Sequence, residues 1–310
     1  MPNYSTLPFS PKILTLSCSV ATVLLVSVVS LPVALAQTPI NSGGVQNVST
    51  QIGRVTISNG TQLNVLTNGE VSQTAGSSAT LAATVSDTSI LSVSGGSVRS
   101  TTSGADAIGV VATGDSLVQL SAGEIRATTS TPGNATGVIA RGNSRFEFTG
   151  GDISGTTNAS GGSTALLLED SATALLSGGD NSFGNFVAND QSSIDVVAGA
   201  FTFANFVANG DSTIVISGGD FSQNDLFSND QATIVLQGSS FNLPFGEVIG
   251  TGGTISGTLL DGTSFGTSFQ RQGTASIVLS SVPEPSSLLM LAISGIGLAL
   301  PRSRRKLRAK

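Results

Sequence analysis

The sequence contains no histidine and no tryptophan, and its single tyrosine, Tyr4, and single cysteine, Cys18, lie near the N-terminus. Between residues 37 and 301, histidine, cysteine, lysine, tyrosine and tryptophan are all absent. These absences exclude Ser–His and Cys–His catalytic triads, zinc bound by His or Cys, Schiff-base lysines and disulfides from that segment. Any aromatic platform for sugars or bases would have to be built from phenylalanine alone.

Charged residues are scarce, at 10% of the chain. Residues 37–282 carry six arginines and 18 acidic residues, so their net charge is −12. This balance argues against nucleic acid and anionic membrane surfaces as partners, and it favours solubility and association with cations. Hydrophobic residues make up 39% of the chain. That fraction is enough to fill a core, so we expect a folded protein.

Residues 1–36 have the pattern of a secretory signal peptide. Lys12 is the only charge before an apolar run over residues 13–36, and small residues at Ala34 and Ala36 suit signal peptidase. We therefore expect the secretion machinery to export the chain and cleavage to leave Gln37 as the new N-terminus. A retained membrane helix is the alternative, but Pro32 and the Ser and Thr residues in the run favour cleavage.

The C-terminus has three consecutive parts. Pro283, Glu284 and Pro285 precede an apolar run over residues 288–301, and six basic residues then close the chain: Arg302, Arg304, Arg305, Lys306, Arg308 and Lys310. An apolar run followed by basic residues is a stop-transfer arrangement with its positive end in the cytoplasm. The run of about 14 residues is shorter than the ~20 that span a bilayer comfortably, which favours a transient anchor in the inner membrane.

This tail, over residues 283–310, resembles the PEP-CTERM sorting domain of Gram-negative bacteria. The resemblance rests on the Pro-Glu-Pro sequence, the glycine-containing apolar run and the terminal Arg/Lys cluster. It implies an exosortase-type processing enzyme as partner, which removes the tail and releases or attaches the protein. It also implies a role alongside exopolysaccharide and biofilm production, at the cell surface or outside the cell.

A repeated pattern fills the chain between these two ends. Two small residues followed by a β-branched or aromatic residue recur, and the second small residue serves as a marker for each repeat. The markers are Gly69, Gly96, Gly123, Gly151, Gly179, Gly199, Gly219 and Ser239. Their spacings are 27, 27, 28, 28, 20, 20 and 20, which is typical of stacked repeats.

Apolar residues occupy fixed positions relative to these markers. Those five and three residues before a marker, such as Leu91 and Val93, share one face of a strand. A second column lies two residues after the marker, at Val98, Ile125, Ile153, Phe201, Phe221 and Phe241, with Asn181 interrupting it. A third lies twelve residues before it, at Val111, Ile139, Leu167, Val187, Val207 and Phe227.

These patterns predict an all-β fold: a parallel β-solenoid (β-helix) of about seven coils over residues 37–245, followed by a C-terminal β cap and linker over 246–282. The signal peptide (1–36) and a transmembrane sorting helix (within 283–310) flank it. Each strand would pair with its equivalent one repeat on, about 4.8 Å away. An antiparallel sandwich is the alternative, but it does not explain three consecutive spacings of 20.

The longer repeats contain extra residues rich in Ser, Thr and Gly, at 100–104, 127–133 and 156–162. Insertions at one position of every coil project from one face. A binding or glycosylated flank would account for them, and so would solvated turns that only enlarge the coil. We favour the turns.

Asparagine and aspartate recur at one turn, as Asn189-Asp190, Asn209-Gly210-Asp211 and Asn229-Asp230. Stacked carboxylates and amides are candidate calcium ligands. However, the nine-residue glycine-aspartate calcium repeat is absent, and both residue types commonly form turns. We therefore expect a hydrogen-bonded asparagine ladder here, and no metal or cofactor.

Paired carboxylates are the remaining candidates for catalysis, because glycoside hydrolysis uses two of them at a defined separation. Acids that lie near one another in the sequence include Glu169 with Asp170, and Asp190 with Asp195. In the absence of lysine, the candidate lyase bases are Arg126, Arg141 and Arg145. Among 18 acids such proximity is expected by chance. We expect an exported structural or adhesive protein without catalysis, with exopolysaccharide as a candidate partner; a polysaccharide-active β-helix enzyme is the alternative.

Overall fold

The computed structural model describes residues 37–281, except residues 131, 159, 160 and 182. Strands make up 63% of this part of the chain and helices none, which confirms the all-β prediction. The 26 strands form one continuous network of pairings. The signal-peptide residues Ala34 and Ala36, and the sorting segment from Pro283 onward, lie outside the described residues.

Parallel pairing arranges most of the strands in three stacks. Stack 1 consists, in order, of β1 (Thr38–Ile40), β4 (Val55–Ile57), β7 (Thr80–Val85), β9 (Ala107–Ala112), β11 (Ala135–Ala140), β14 (Ser163–Leu168), β16 (Asn185–Ala188), β18 (Phe206–Ala208), β21 (Asp225–Ser228) and β25 (Ser264–Arg271). Each strand of this stack pairs with the next, so equivalent residues of successive repeats are neighbours along the stack.

Stack 2 consists of β2 (Val45–Val48), β5 (Gln62–Val65), β8 (Ile90–Thr102), β10 (Leu117–Thr129), β12 (Arg145–Phe148), β15 (Thr173–Asn181), β17 (Ser193–Thr202), β19 (Thr213–Ile216), β22 (Thr233–Phe241) and β26 (Ser276–Ser280). Stack 3 consists of β3 (Gln51–Ile52), β6 (Glu70–Ala75), β13 (Asp152–Thr157), β20 (Asp220–Ser222) and the second halves of β8, β10, β15 and β17. The remaining strands are β23 (Gly246–Glu247) and β24 (Gly252–Leu259).

The register of stack 2 confirms the columns at five and three residues before each marker. Val118 pairs with Leu91 on one side and with Phe146 on the other, so equivalent residues of successive repeats are direct neighbours. The ladder also extends beyond the repeats that the sequence indicates, at both ends. Among the described residues, the column that contains Val93 is buried in ten strands: Val48, Val65, Val93, Leu120, Phe148, Leu176, Val196, Ile216, Leu236 and Leu279.

The column twelve residues before each marker forms a ladder, but it is not the interior column of stack 1. Val187 and Val207 pair with each other and are half-exposed, whereas the preceding residues Phe186 and Phe206 are fully buried. The interior of this stack is formed by Val55, Ala83, Val110, Val138, Leu166, Phe186, Phe206, Leu226 and Phe269. Two consecutive apolar residues in each of these repeats leave the inward face ambiguous, because alternation alone assigns the faces of a strand.

The column two residues after the marker is confirmed as far as Phe221 and is wrong at Phe241. Phe201 pairs with Phe221, and their ring centroids are 5.3 Å apart. Phe241 instead pairs antiparallel with Gly257 of β24 and is only partly buried. The ring that follows Phe221 is Phe265 of β25, at 5.4 Å. The chain reverses direction after β22, and this reversal removes Phe241 from the column.

A glycine is required where the backbones of two successive repeats approach each other closely. Gly151 has φ +87°, and a Cβ atom there would lie 2.6 Å from the carbonyl oxygen of Gly123. Real side chains avoid both this conformation and such a contact. The marker glycines therefore form a tight seam between stacks 2 and 3.

The C-terminal segment combines a hairpin with one further layer of the ladder. β24 and β25 pair antiparallel, and β26 continues stack 2 by pairing parallel with β22. Asp261 anchors the hairpin turn, because its carboxylate accepts hydrogen bonds from the Gly219 N–H at 2.8 Å and the Thr263 N–H at 2.9 Å. Desolvation opposes ionisation of this carboxyl, but hydrogen bonds from Thr263 and Gly219 outweigh it and hold the pKa of Asp261 below its usual value.

Some of the extra residues in the longer repeats lengthen the strands of stack 3, and the others form turns and bends. Thr128 pairs with Thr101 and with Thr156, so the added segments stay in register with one another. Ala107, Ala127 and Ala135 form a small separate cluster of buried residues beneath them. The favoured interpretation, solvated turns that only enlarge the coil, therefore applies to only part of these residues. The rest extend strands and pack with a small cluster of buried alanines.

Candidate functional site

The last described strand leads directly into the predicted sorting segment. β26 ends at Ser280 and is held between β22, with which it pairs parallel, and β23, with which it pairs antiparallel. Its side chains Ile277 and Leu279 are buried. The point at which the chain leaves the sheet is therefore anchored on both sides, and little chain separates it from Pro283.

The asparagines of the recurring turn form the predicted ladder. The side-chain N–H of Asn229 donates to the side-chain oxygen of Asn209, and that of Asn209 donates to Asn189, both at 2.8 Å. Successive repeats are thus linked through one amide column, 20 residues apart each time. This geometry supports a structural role for these asparagines.

The aspartates of the same turns accept hydrogen bonds from the backbone of the preceding repeat. The Asp230 carboxylate accepts from the Gly210 N–H at 3.2 Å, Asp190 from the Asp170 N–H at 3.0 Å, and Asp170 from the Gly142 N–H at 2.9 Å. Asp170, Asp190 and Asp230 have φ near +60°, a conformation that Asp and Asn adopt more readily than most residues. Turn geometry and hydrogen bonding account for these residues without a metal.

Metal ligation finds no support within the part of the chain that the structure describes. No group of three or more Asp, Glu, His or Cys side chains there is arranged to hold a metal ion. Asp190, Asp211 and Asp230 occupy successive turns, but two of these three carboxylates already accept backbone hydrogen bonds.

Most of the candidate catalytic residues have structural partners. Glu169 forms an ion pair with Arg141, while Asp170 accepts the backbone hydrogen bond described above. Asp195 lies exposed on β17, away from the turn that carries Asp190. Arg145 pairs with Glu147 at 3.0 Å. Proximity in the sequence therefore did not identify two carboxylates that are free to act together.

A different set of acids is brought together by the fold. Glu124, Asp152 and Asp180 occupy equivalent positions of successive strands, each one residue after a marker glycine. Glu124 and Asp152 border a shallow groove along the glycine seam, together with Arg99. Arg99 and Arg126 line a neighbouring groove. Arg99 forms an ion pair with Glu124. We refer to Glu124, Asp152 and Asp180 as the acidic column.

The pKa of Asp152, the middle residue of the acidic column, is raised. Burial raises the pKa of Asp152 above its ordinary value of 3.8, and the neighbouring Glu124 and Asp180 raise it further, while Arg126 lowers it. One of its carboxylate oxygens is buried and has no hydrogen-bond partner among the described residues. The sequence carried a signal for this column, the acid after the glycine in Gly123-Glu124, Gly151-Asp152 and Gly179-Asp180, which the sequence interpretation did not use.

The comparisons with known proteins concern the C-terminal segment. The family described as PEP-CTERM protein-sorting motif matches residues 281–305. This match begins immediately after β26 and includes Pro283, Glu284, Pro285, Arg302, Arg304 and Arg305. No curated protein and no solved structure matches the chain.

The chain therefore carries a PEP-CTERM sorting motif, as its sequence predicts. The motif implies an exported protein that exosortase-type machinery processes, with a transient membrane anchor at its C-terminus. Residues 37–281, as far as they are described, contain no helix long and apolar enough to cross a membrane.

Proposed function

We propose that this protein is an exported structural or adhesive component of the cell surface or extracellular matrix, associated with exopolysaccharide and without catalytic activity of its own. The observation that carries the proposal is the sorting motif at residues 281–305, directly after an all-β body. Signal peptidase would remove residues 1–36, and an exosortase-type enzyme would then act on the tail.

The body of this exported protein is, on this proposal, a parallel β-solenoid. Support comes from the three stacks, in which strands pair parallel with their equivalents 20, 27 or 28 residues on. A sandwich would instead place antiparallel neighbours together, and antiparallel pairs among the described strands are confined to the C-terminal segment. A stiff repeat array suits a structural role, since it carries a long surface on a narrow core.

A polysaccharide-active enzyme is the second candidate, and Asp152 is the observation that favours it. A carboxyl with a raised pKa beside another acid is the usual arrangement of a general acid in glycoside hydrolysis. The same arrangement follows from simple stacking of acids in a ladder. Loss of a measurable depolymerising activity in both Asp152→Asn and Glu124→Gln would favour the enzyme, whereas a wild-type protein inactive on the cells' own exopolysaccharide would remove this candidate.

The sorting proposal is tested by two sets of substitutions in the tail. Changing Pro283, Glu284 and Pro285 together to Ala should leave the membrane anchor intact and trap a full-length precursor in the inner membrane. Changing the six terminal basic residues to Ser should instead weaken retention, because Arg and Lys resist translocation. Cell fractionation with a mass measurement of the C-terminus distinguishes the two products.

The matched control is Ser286→Ala with Ser287→Ala, which alters the same segment outside the Pro-Glu-Pro sequence. This variant should be processed as wild type. If the triple-Ala protein is trimmed and exported normally, the tail acts only as an anchor and the proposed processing is wrong.

A further inference from the structure

Two phenylalanine rings lie stacked on the surface of successive repeats. Phe183 and Phe203 are 53% and 51% exposed. Their ring centroids are 6.3 Å apart and their planes lie within 9° of parallel. Fully buried phenylalanines such as Phe186 and Phe206 follow them three residues later in the same repeats. The core of these repeats therefore contains phenylalanine rings of its own, and the exposed pair lies outside it. We call Phe183 and Phe203 the phenylalanine platform.

The backbone beneath the platform is held in an unfavourable conformation. Phe203 has φ +56°, in the left-handed region that bulky residues avoid. Its N–H donates to the Ser222 carbonyl at 3.2 Å, and the N–H of Ala204 donates to the Asn224 side chain at 3.1 Å. These bonds to the next repeat fix the backbone of the corner from which the ring projects. An unfavourable conformation maintained in this way is typical of binding positions.

The size of the platform limits what it can bind. Two half-exposed rings offer roughly 150–250 Å² of apolar surface, given the area that a buried phenylalanine covers. A stable protein partner requires about 800 Å² on each side. The platform therefore suits a ligand the size of one or two sugar units within a longer polymer, not a folded protein or a second copy of this chain.

The chemistry of the platform selects among small ligands. The faces of aromatic rings carry partial negative charge, which attracts the C–H groups on the flat side of a pyranose ring. The two exposed rings have parallel planes and leave the site open, unlike the enclosing cage that quaternary ammonium ions require. Hydroxyl and amide groups lie alongside, at Ser222 and Gln223, both exposed. The net charge of −12 over residues 37–282 opposes nucleic acid and anionic polymers.

We propose that Phe183 and Phe203 bind a neutral polysaccharide by stacking of its sugar rings on the two phenyl rings. This inference rests on the proposed exopolysaccharide association and assigns it a site. The repeats place the two rings on adjacent layers, so one extended polymer contacts both. The absence of Trp and Tyr from residues 37–310 leaves phenylalanine as the aromatic residue available for such a platform.

The test is affinity electrophoresis of the exported, processed protein, purified from the producing cells. Native gels contain either the neutral or the anionic fraction of the cells' own exopolysaccharide, separated by anion exchange. Wild-type protein should be retarded by the neutral fraction. Phe183→Ala and Phe203→Ala should each weaken binding about tenfold, the usual effect of removing one stacking ring. Phe245→Ala, which removes a half-exposed ring packed against Phe241, should bind as wild type.

A second variant separates binding from folding. Phe203→Gly removes the ring and also relieves the positive φ, so its melting temperature should equal or exceed that of wild type while its retardation falls. Equal retardation of wild type and the Phe183→Ala, Phe203→Ala double variant would overturn the platform, as would retardation by the anionic fraction alone. Neither result bears on tail processing, which fractionation and mass measurement report independently.

Discussion

Phenylalanine supplies the largest side chains in the second half of the core. Phe186, Phe201, Phe206 and Phe221 form a contiguous group with ring centroids 5.0 to 5.5 Å apart. Both stacked and edge-to-face geometries occur, as expected for packed rings. Repeats in this region are 20 residues long, and the large rings fill a coil whose strands are shorter than those of the 27–28-residue repeats.

We expect Phe221→Ala to lower the free energy of unfolding by about 3–5 kcal/mol, the usual cost of truncating a buried phenylalanine. Phe221 is 6% exposed and contacts the rings of Phe201, Phe206 and Phe265. Phe241→Ala should cost clearly less, because Phe241 is only partly buried. Denaturant unfolding of both variants measures the difference. Equal losses would place Phe241 back in the interior column.

Stability should depend on pH through Asp152. Its folded-state pKa is raised above 3.8, so the folded protein holds this proton more tightly than the unfolded chain. The resulting stabilisation is complete below pH 3.8 and is lost as pH rises through the folded-state pKa. Asp152→Asn should therefore melt above wild type at pH 7, by a few degrees at most, and the gap should close in acid.

The control for this variant is Asp220→Asn, which alters an exposed acid at the equivalent position of a later repeat. Its melting temperature should follow wild type across the same pH range. A higher melting temperature for wild type than for Asp152→Asn at neutral pH would mean that the carboxylate makes a stabilising contact.

At the scale of the element, the recurring turn links each repeat to the next. Its second residue has positive φ in repeat after repeat, with glycine, Asn or Asp at that position: Asn59, Asp87, Gly114, Gly142, Asp170, Asp190, Gly210, Asp230 and Gly273. These are the residue types that tolerate the left-handed region. The turn thus sets the spacing of the ladder, and the asparagine amides join adjacent turns.

Replacing Asn209 with Ala should lower the free energy of unfolding by about 1–3 kcal/mol. The change removes the hydrogen bond that Asn209 donates to Asn189 and leaves the Asn229 amide without its acceptor. Gln231→Ala, at an exposed position of the next turn, is the matched control and should have little effect.

Thermal melting in calcium and in chelator completes the test. A fall in melting temperature on chelation, reversed by calcium, would show that these turns bind the ion.

For the molecule as a whole, the 20-residue repeats make a sharp prediction about deletion. Removing residues 199–218 joins Ala198 to Gly219 and restores the small-residue pair before Asp220 and Phe221. Because neighbouring repeats interact through equivalent positions, the shortened chain should still unfold cooperatively, with reduced stability. Removing only residues 199–208 should prevent cooperative folding, since strands of different stacks would then face one another.

Circular dichroism and thermal unfolding of the two deletion variants measure this outcome. Similar behaviour of both would contradict a parallel array, because a sandwich has no reason to tolerate one length of deletion over the other.

Much of the fold could be predicted because every repeat carries the same pattern. The columns at Leu91, Val93 and Val98 recur at fixed distances from the markers, and strands that stack in parallel must bring such positions together. The sorting motif could also be recognised from the sequence. It consists of consecutive segments: Pro283 to Pro285, an apolar run and terminal basic residues. The apolar columns of the repeats at the two ends were not identified, because the spacings there depart from the main one.

The all-β class, the ladder register and the sorting motif are properties of the sequence itself, because they depend on local spacing and composition. Tertiary structure alone decided that Phe206 rather than Val207 faces inward, that Phe265 rather than Phe241 follows Phe221, and that Asp152 becomes perturbed. Two consecutive apolar residues do not show which of them faces inward. The chain reversal after β22 places Phe265 of β25, rather than Phe241 of β22, next to Phe221. The pKa of a carboxyl depends on neighbours that stacking brings together from positions 28 residues apart.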